Sequence, residues 1–368
     1  MGNKEIQIVA FDNPYPPDFG GAIDVFYKIK ALNELGVKIY LHIYYDVRSD
    51  VSGLEPLCET ITLYKRNASI INHFSLFPYC VNTRISKVLI ENLNKIKAPI
   101  LFESMRTTGI LKKHVFKQKT AVRCHNIEHD YSWGLFKSEG NWLKKTAFFL
   151  EGYKLKYYES ILNYVDFLFT LSNHEQAYFS KNFKSTSVYL PVFHGDKDLE
   201  GEKGFGTYAL YHGDLTISDN IKSAFFIIDV FKDLSNSLII ASSTLSKKLI
   251  NEINKHDNIS FQLISDENHL CNLIKKAHIN TLYSFQRSGT KLKVFKALYM
   301  GRHCILNKNM IDDSDVLKVC EVAENKREYQ NAVKRLFNKN FTTTNNRFDA
   351  LKKYDSKFNA EQLIKILC

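Results

Sequence analysis

Short apolar runs alternate along this chain with longer stretches in which apolar residues return every third or fourth position. The first pattern is that of a buried strand and the second that of an amphipathic helix. Residues 6–11, 37–44, 60–64, 99–103, 120–124, 166–171 and 187–190 read as strands. Helices are predicted between them at 22–35, 82–96 and 175–182, with an aromatic and basic helical region over 141–165. In the first helix Ile23, Phe26, Tyr27, Ile29 and Leu32 are the candidate core positions, and Gly36 is the stop. Ser172 has the place of an N-cap.

Residues 191–206 break the pattern, being rich in Gly, Lys, Asp and Glu and poor in apolar positions, and read as a linker. The alternation then restarts. Strands are expected at 208–211, 237–241, 259–264, 279–285 and 303–307, and helices at 219–233, 245–255, 267–277 and 326–337, with a helical tail from 348. Between the last two strands, Leu292, Phe295, Leu298 and Tyr299 recur at helical spacing before Gly301. The chain is thus an α/β protein of two Rossmann-like β/α/β domains, residues 1–191 and 207–345, with a tail at 346–368 that crosses back to the first. In such folds ligands bind beyond the carboxyl ends of strands, and a cleft across which two such domains face each other is the default site.

Composition narrows the partners. The 368 residues carry a formal charge of +11. That balance suits a nucleotide, another polyanion or an acidic membrane surface. Zinc-finger spacing, aromatic–basic ribonucleoprotein motifs and basic helices do not stand out, so nucleic acid is not expected. Cys58, Cys80, Cys124, Cys271, Cys304, Cys320 and Cys368 are scattered, odd in number and without C-x-x-C, as reduced thiols of the cytosol would be. With no signal peptide and no apolar run of spanning length, the expected location is the cytoplasm or the periphery of the inner membrane.

Candidate chemistry gathers at strand ends. Gly20 and Gly21 follow the first strand, where a backbone could approach phosphate or acceptor closely; a simple turn is nearly as good a reading. Glu103 ends a strand and could take or orient an acceptor proton, or pair with Arg106 or Arg123. His125 opens H-N-I-E-H-D-Y and could bond a sugar hydroxyl or a phosphate oxygen. Glu128 and His129 fit solvated loop residues better than functional ones, and a metal on His125, Glu128 and His129 lacks H-E-x-x-H spacing. Gly213 ends the first strand of the second domain. Arg287, Ser288, Gly289, Thr290, Lys291 and Lys293 form a basic turn at a helix start, where free backbone N–H groups suit an anion; the alternative is a plain crossover with a solvated lysine face. Asp312, Asp313 and Asp315 fit a solvated face better than a metal site. The aromatics of 133–158 fit core packing better than a membrane-facing patch, with the lysines left on a basic outer face.

Several segments, in their order and spacing, resemble GT-B-fold glycosyltransferases of the family-4 type, particularly those of Bacteroidetes polysaccharide loci. They are P-Y-P-P-D-F-G-G, L-F-E-S at 101–104, V-R-C-H-N-I-E-H-D-Y at 122–131, E-G-Y-K-L-K-Y-Y-E at 151–159, Y-A-L-Y-H-G-D-L at 208–215 and S-G-T-K-L-K-V-F-K-A-L-Y-M-G-R. The resemblance implies a hexosyltransferase-like enzyme of surface polysaccharide or glycoconjugate assembly. A UDP- or GDP-linked sugar donor sits mainly on the second domain, and a glycan or lipid-linked acceptor on the first. Transfer retains configuration without an obligatory metal or other cofactor. His125 and Lys293 match its donor-contacting positions. Its usual E-x7-E glutamates are replaced here by Ser288 and Lys296, so the usual carboxylate for ribose is missing. A non-catalytic nucleotide- or glycan-binding relative, or a sugar-nucleotide epimerase or hydrolase of the same fold, remain the rival readings.

Overall fold

The computed structural model describes residues 4–287 and 290–368. The chain divides into two compact units, Met1–Trp133 with Thr146–Gly195 and Lys353–Cys368, and Gly134–Lys145 with Asp196–Lys352.

In the first unit, strands β1 (Glu5–Ala10), β2 (Lys38–Tyr45), β3 (Thr60–Lys65), β4 (Ile100–Glu103), β5 (Thr120–Cys124), β6 (Phe167–Thr170) and β7 (Thr186–Tyr189) form one sheet in the order β3-β2-β1-β4-β5-β6-β7. Every pair is parallel, and β4 lies against β5 with Glu103 opposite Arg123. Strands buried on both faces explain the near-continuous apolar runs. Between them run α1 (Gly20–Glu34), α2 (Tyr79–Asn82), α3 (Lys87–Lys95), the first part of α4 (Glu128–Ser138), the later part of α5 (Trp142–Tyr158) and α6 (Asn173–Asn182), with Ser172 bonding the backbone N–H of Glu175 as α6 begins; Gly134–Lys145, the end of α4 and start of α5, fall in the second unit. The order reverses between β1 and β4, which makes their carboxyl ends the switch point at which ligands bind in open α/β sheets.

The second unit repeats the plan with β8 (Ala209–His212), β9 (Leu238–Ser242), β10 (Ile259–Leu263), β11 (Ile279–Leu282), β12 (His303–Leu306) and β13 (Glu321–Val322), in the order β10-β9-β8-β11-β12-β13. Its helices are α7 (Ser218–Phe231), α8 (Lys247–Ile253), α9 (Glu267–Lys276), α10 (Leu292–Met300), α11 (Ser314–Lys318), α12 (Lys326–Phe337) and α13 (Asn345–Lys352). The switch point here lies between β8 and β11. The last helix, α14 (Ser356–Leu367), packs on α1 in the first unit, where Leu363, Ile364 and Leu367 join the core of Ile8, Val25 and Ile29.

Four expectations change. The helix expected over residues 82–96 is broken, because buried Arg84 turns inward to donate to the carbonyls of Phe11 (2.7 Å) and Cys80 (2.6 Å). The strand expected at 279–285 ends at Leu282, and Ser284 is instead held by Asp219 (2.8 Å) and Asn307 (3.2 Å). The acidic run is part of a helix start, Asp313 bonding the N–H groups of Asp315 and Val316. The inward face of α1 is also rotated from the one predicted: Ala22, Val25, Ile29 and Leu32 are buried, and so are Asp24 and Lys28.

Candidate functional site

At the switch point of the first unit the sheet and α1 bring five ionisable side chains together. Asp24 and Lys28, one helical turn apart, enter from α1; Glu103 ends β4, Arg123 comes from β5 and His125 follows it. The Lys28 ammonium lies 3.0 Å from Asp24 and 2.6 Å from Glu103. Arg123 meets Asp24 with Nε at 3.1 Å and Nη2 at 2.9 Å, and also donates to the carbonyls of Leu190 (2.6 Å) and Pro191 (2.9 Å). His125 Nε2 lies 3.2 Å from the second oxygen of Glu103.

All but His125 are buried from solvent; that imidazole keeps 11% of its surface. Burial alone would raise both carboxyls, but the nearby cations outweigh it. Arg123 and Lys28 hold Asp24 far below its usual range, and Lys28 with the His125 bond holds Glu103 below its own. Glu103 is therefore an anion that accepts. In the neutral ring the proton then sits on Nε2, which leaves Nδ1 as a hydrogen-bond acceptor. A sugar hydroxyl can donate to it; bonding a phosphate oxygen there would need a second proton on the ring.

Other assignments shift accordingly. Glu103 pairs with Lys28, not with Arg106 or Arg123. Glu128 and His129 are not solvated loop residues but buried members of α4. Glu128 accepts from Ser104 (2.9 Å) and Arg106 (3.0 Å), while His129 bonds Glu159. Ser104 takes a positive φ of 71° to reach it. His125, Glu128 and His129 thus each have partners of their own, and their ligand atoms are not grouped together. Among the described residues, the ligand atoms of Asp24, Glu103 and His125 do lie within 4.8 Å of one another. Lys28 sits among them as the resident cation. At Gly21 a Cβ would stand 2.5 Å from the ring of Phe11, so packing against that aromatic already accounts for the missing side chain. Gly20 is exposed as the first residue of α1.

At the switch point of the second unit no carboxylate among the described residues lies at salt-bridge distance from Lys293. Gly213 follows β8, and a Cβ there would press on Asn220 at 3.2 Å. Lys293, in the first turn of α10, lies 3.4 Å from the Asn220 side-chain oxygen and 5.2 Å above the ring of Tyr211. Burial pushes its ammonium down to about 8, Lys291 pushes the same way, and Asp219 opposes. Burial, with the charges of Lys293 and Lys296, pushes the imidazole of His212 down to about 3, and among the described residues its Nε2 has no hydrogen-bond partner. Lys296, half-buried, pairs with Glu267, the first residue of α9. Its ammonium is lowered by burial, with Asp196 opposing. Lys291 is the N-cap of α10, and among the described residues no side chain caps that helix start. Thr290 precedes it, and Arg287 is exposed in the loop before; Ser288 and Gly289 lie outside the described residues.

Sequence reasoning missed Asp24, Lys28 and His212. For the first two a signal exists: charges four apart that alternate with apolar core positions on one helical face.

No protein-family model matches the chain. A Klebsiella pneumoniae protein, described as an uncharacterized 44.6 kDa protein in the cps region, is 30% identical over 199 residues, 52% of this chain and 51% of its own. The chain thus spans about half the length of the curated relative it matches. Among solved structures, HepE of Anabaena, in complex with UDP and glucose, matches with a TM-score of 0.69 at 10% identity, over 99% of both chains. TarM matches at 0.68 and 11% identity over 99% of this chain and 98% of its own. Sucrose-phosphate synthase from Thermosynechococcus elongatus matches at 0.64 and 14% identity over 99% and 95%. These likenesses, over nearly the whole chain, establish the architecture: two parallel-sheet Rossmann-like units in the GT-B fold of glycosyltransferases.

Proposed function

We propose that this chain is a glycosyltransferase of the family-4 type. It moves a sugar from a UDP- or GDP-linked donor to a glycan or lipid-linked acceptor during surface polysaccharide assembly in the cytoplasm, with retention of configuration and no obligatory metal. The observation that carries the reading is Lys293. Among the described residues this partly desolvated cation is offset by an amide oxygen and a tyrosine ring, not by a salt bridge. A diphosphate supplies the missing anion. The negative charge that develops as the nucleotide diphosphate departs is what a fixed cation at a helix start stabilises.

In this reading the second unit holds the donor through Lys293, Lys291, Thr290, Arg287 and the loop at Gly213. The first unit supplies His125, whose Nδ1 takes a hydrogen bond from a sugar hydroxyl. Glu103 acts through His125, as a positioning group fixed by Lys28. Buried and anionic, it is a poor candidate for receiving the acceptor proton directly. The departing phosphate oxygen can take that proton as the acceptor oxygen bonds to the anomeric carbon on the same face.

A thermal-shift panel of nucleotide sugars and free nucleotides tests the reading. Stabilisation by a uridine or guanosine diphosphate, with its sugar conjugate, is expected. A panel in which no nucleotide shifts the transition overturns it. The second reading, a non-catalytic binder, draws on the lysine at position 296, and is favoured if donors bind but are never turned over with any acceptor.

A further inference from the structure

Helix α5 is folded with an apolar stripe outward. Gly152, Leu155 and Tyr158 are its buried residues, whereas Leu150, Tyr153 and Tyr157 are 54%, 56% and 81% exposed. Positions 150, 153 and 157 recur at helical spacing, so they share one face. Tyr158 takes the core packing expected of these aromatics, but Tyr153 and Tyr157 do not. A second exposed group lies on the 3-10 turn Ile70–Phe74 and the residues after it: Ile70, Ile71, Phe74 (86%) and Leu76 (91%). The turn runs beside the helix. Lys154 donates to the carbonyl of His73 at 2.8 Å, and Glu151 accepts from the N–H groups of Tyr79 and Cys80 at 3.1 Å each.

The charge of this helix has one sign. It carries Lys144, Lys145, Lys154 and Lys156 and a single acid, Glu151, whose carboxylate is turned inward onto those N–H groups; of the four lysines, Lys156 is already paired, 3.2 Å from Glu159. Exposed aromatics and aliphatics flanked by lysines fit an anionic bilayer surface: the rings enter the headgroup–acyl boundary while the ammonium groups meet the phosphates. A second copy of the chain fits worse, since a two-fold interface would set the same lysines against each other. Among the described residues no helix is long and apolar enough to cross a membrane, so the helix would lie on the surface.

We infer that the α5 stripe and the adjoining 70–76 segment form a docking surface for anionic lipid. This stands whether or not the chain transfers sugars. The test is flotation of the whole chain with vesicles of phosphatidylcholine alone, or with about a third phosphatidylglycerol. At least about tenfold more protein is expected on the anionic vesicles, falling as salt is raised from about 0.1 to about 0.5 M. Phe74→Ser with Leu76→Ser, and separately Tyr153→Ser with Tyr157→Ser, should each cut that binding at least about fivefold, with the melting temperature unchanged. Variants that bind vesicles like the wild type overturn the inference. So does a wild-type dimer in sedimentation velocity that ignores vesicles and that these substitutions dissolve. Titrating the same samples with UDP and GDP separates the two proposals, because loss of lipid binding should leave nucleotide binding intact.

Discussion

In the first unit Lys28 stands between two carboxylates, while in the second Lys293 faces an amide oxygen and a tyrosine ring. Both lysines belong to a helix at the switch point of a parallel sheet. Around Lys28 the ledger closes internally: Arg123 and Lys28 against Asp24 and Glu103, with the backbone of Leu190 and Pro191 taking the remaining guanidinium donors. Around Lys293, among the described residues, only the more distant Asp219 opposes and no salt bridge closes it, while Lys296 reaches balance by pairing with Glu267. A buried charge group that satisfies itself builds a fold and orients one imidazole. One left with surplus positive charge is suited to an anion from outside. Under the proposed function, the difference separates scaffold from ligand site inside one repeated architecture.

The strongest way to break that contrast is Lys28→Met. Removing one partner from a buried pair leaves its carboxylates uncompensated, and the cost should be about 3–5 kcal/mol in the unfolding of the first unit, read by urea denaturation. A loss below about 1 kcal/mol would mean that water or relaxation already screens the group. Next is His125→Ala, which should lower transfer at least about tenfold, or 1.4 kcal/mol of barrier, while the melting temperature holds. A collapse of melting temperature along with activity would assign His125 to the scaffold.

The two sites also differ in the sign of their pH dependence. Asp24 and Glu103 titrate below their unfolded values. The stability they contribute is whole above about pH 4 and is lost as pH falls through the folded values. Lys293 is lowered to about 8, so the free site loses its cation as pH rises through that value, whereas a bound diphosphate would hold the proton on. Nucleotide diphosphate affinity should therefore fall about tenfold between about pH 7 and about pH 9, by calorimetry. A flat profile would remove Lys293 from the contact. The smallest expected effect concerns ribose. With Lys296 paired to Glu267, a 2′-deoxy donor should lose less than about 1 kcal/mol relative to the cognate donor. A loss of several kcal/mol would show that a carboxylate, with Glu267 the nearest candidate, reads the ribose.

Much of this was legible in the chain itself. The alternation of apolar runs and helical periods placed β1 through β12 to within a few residues; inner strands such as β1, β4 and β8, buried on both faces, leave a near-continuous apolar signature. The two-residue β13 leaves none. His125, Glu103 and Lys293 were legible as polar residues at the ends of apolar strands or at a helix start. Asp24 and Lys28 were not, because charges on a helix read as solvent-facing until their partners are known. Those partners lie 75 and 99 residues away, at Glu103 and Arg123. The α5 stripe misled in the opposite sense. Hydropathy says that Leu150 and Tyr157 seek burial, but not whether the chain's own core or another surface provides it.

The account rests most heavily on the surplus charge at Lys293, and calorimetry of UDP and GDP binding to the wild type and to Lys293→Ala tests it most directly. One of the two nucleotides should bind, and the substitution should weaken it by about 1.5–3 kcal/mol, the scale of a hydrogen bond to a charged group. Unchanged affinity in the variant would contradict the assignment of the diphosphate to this site.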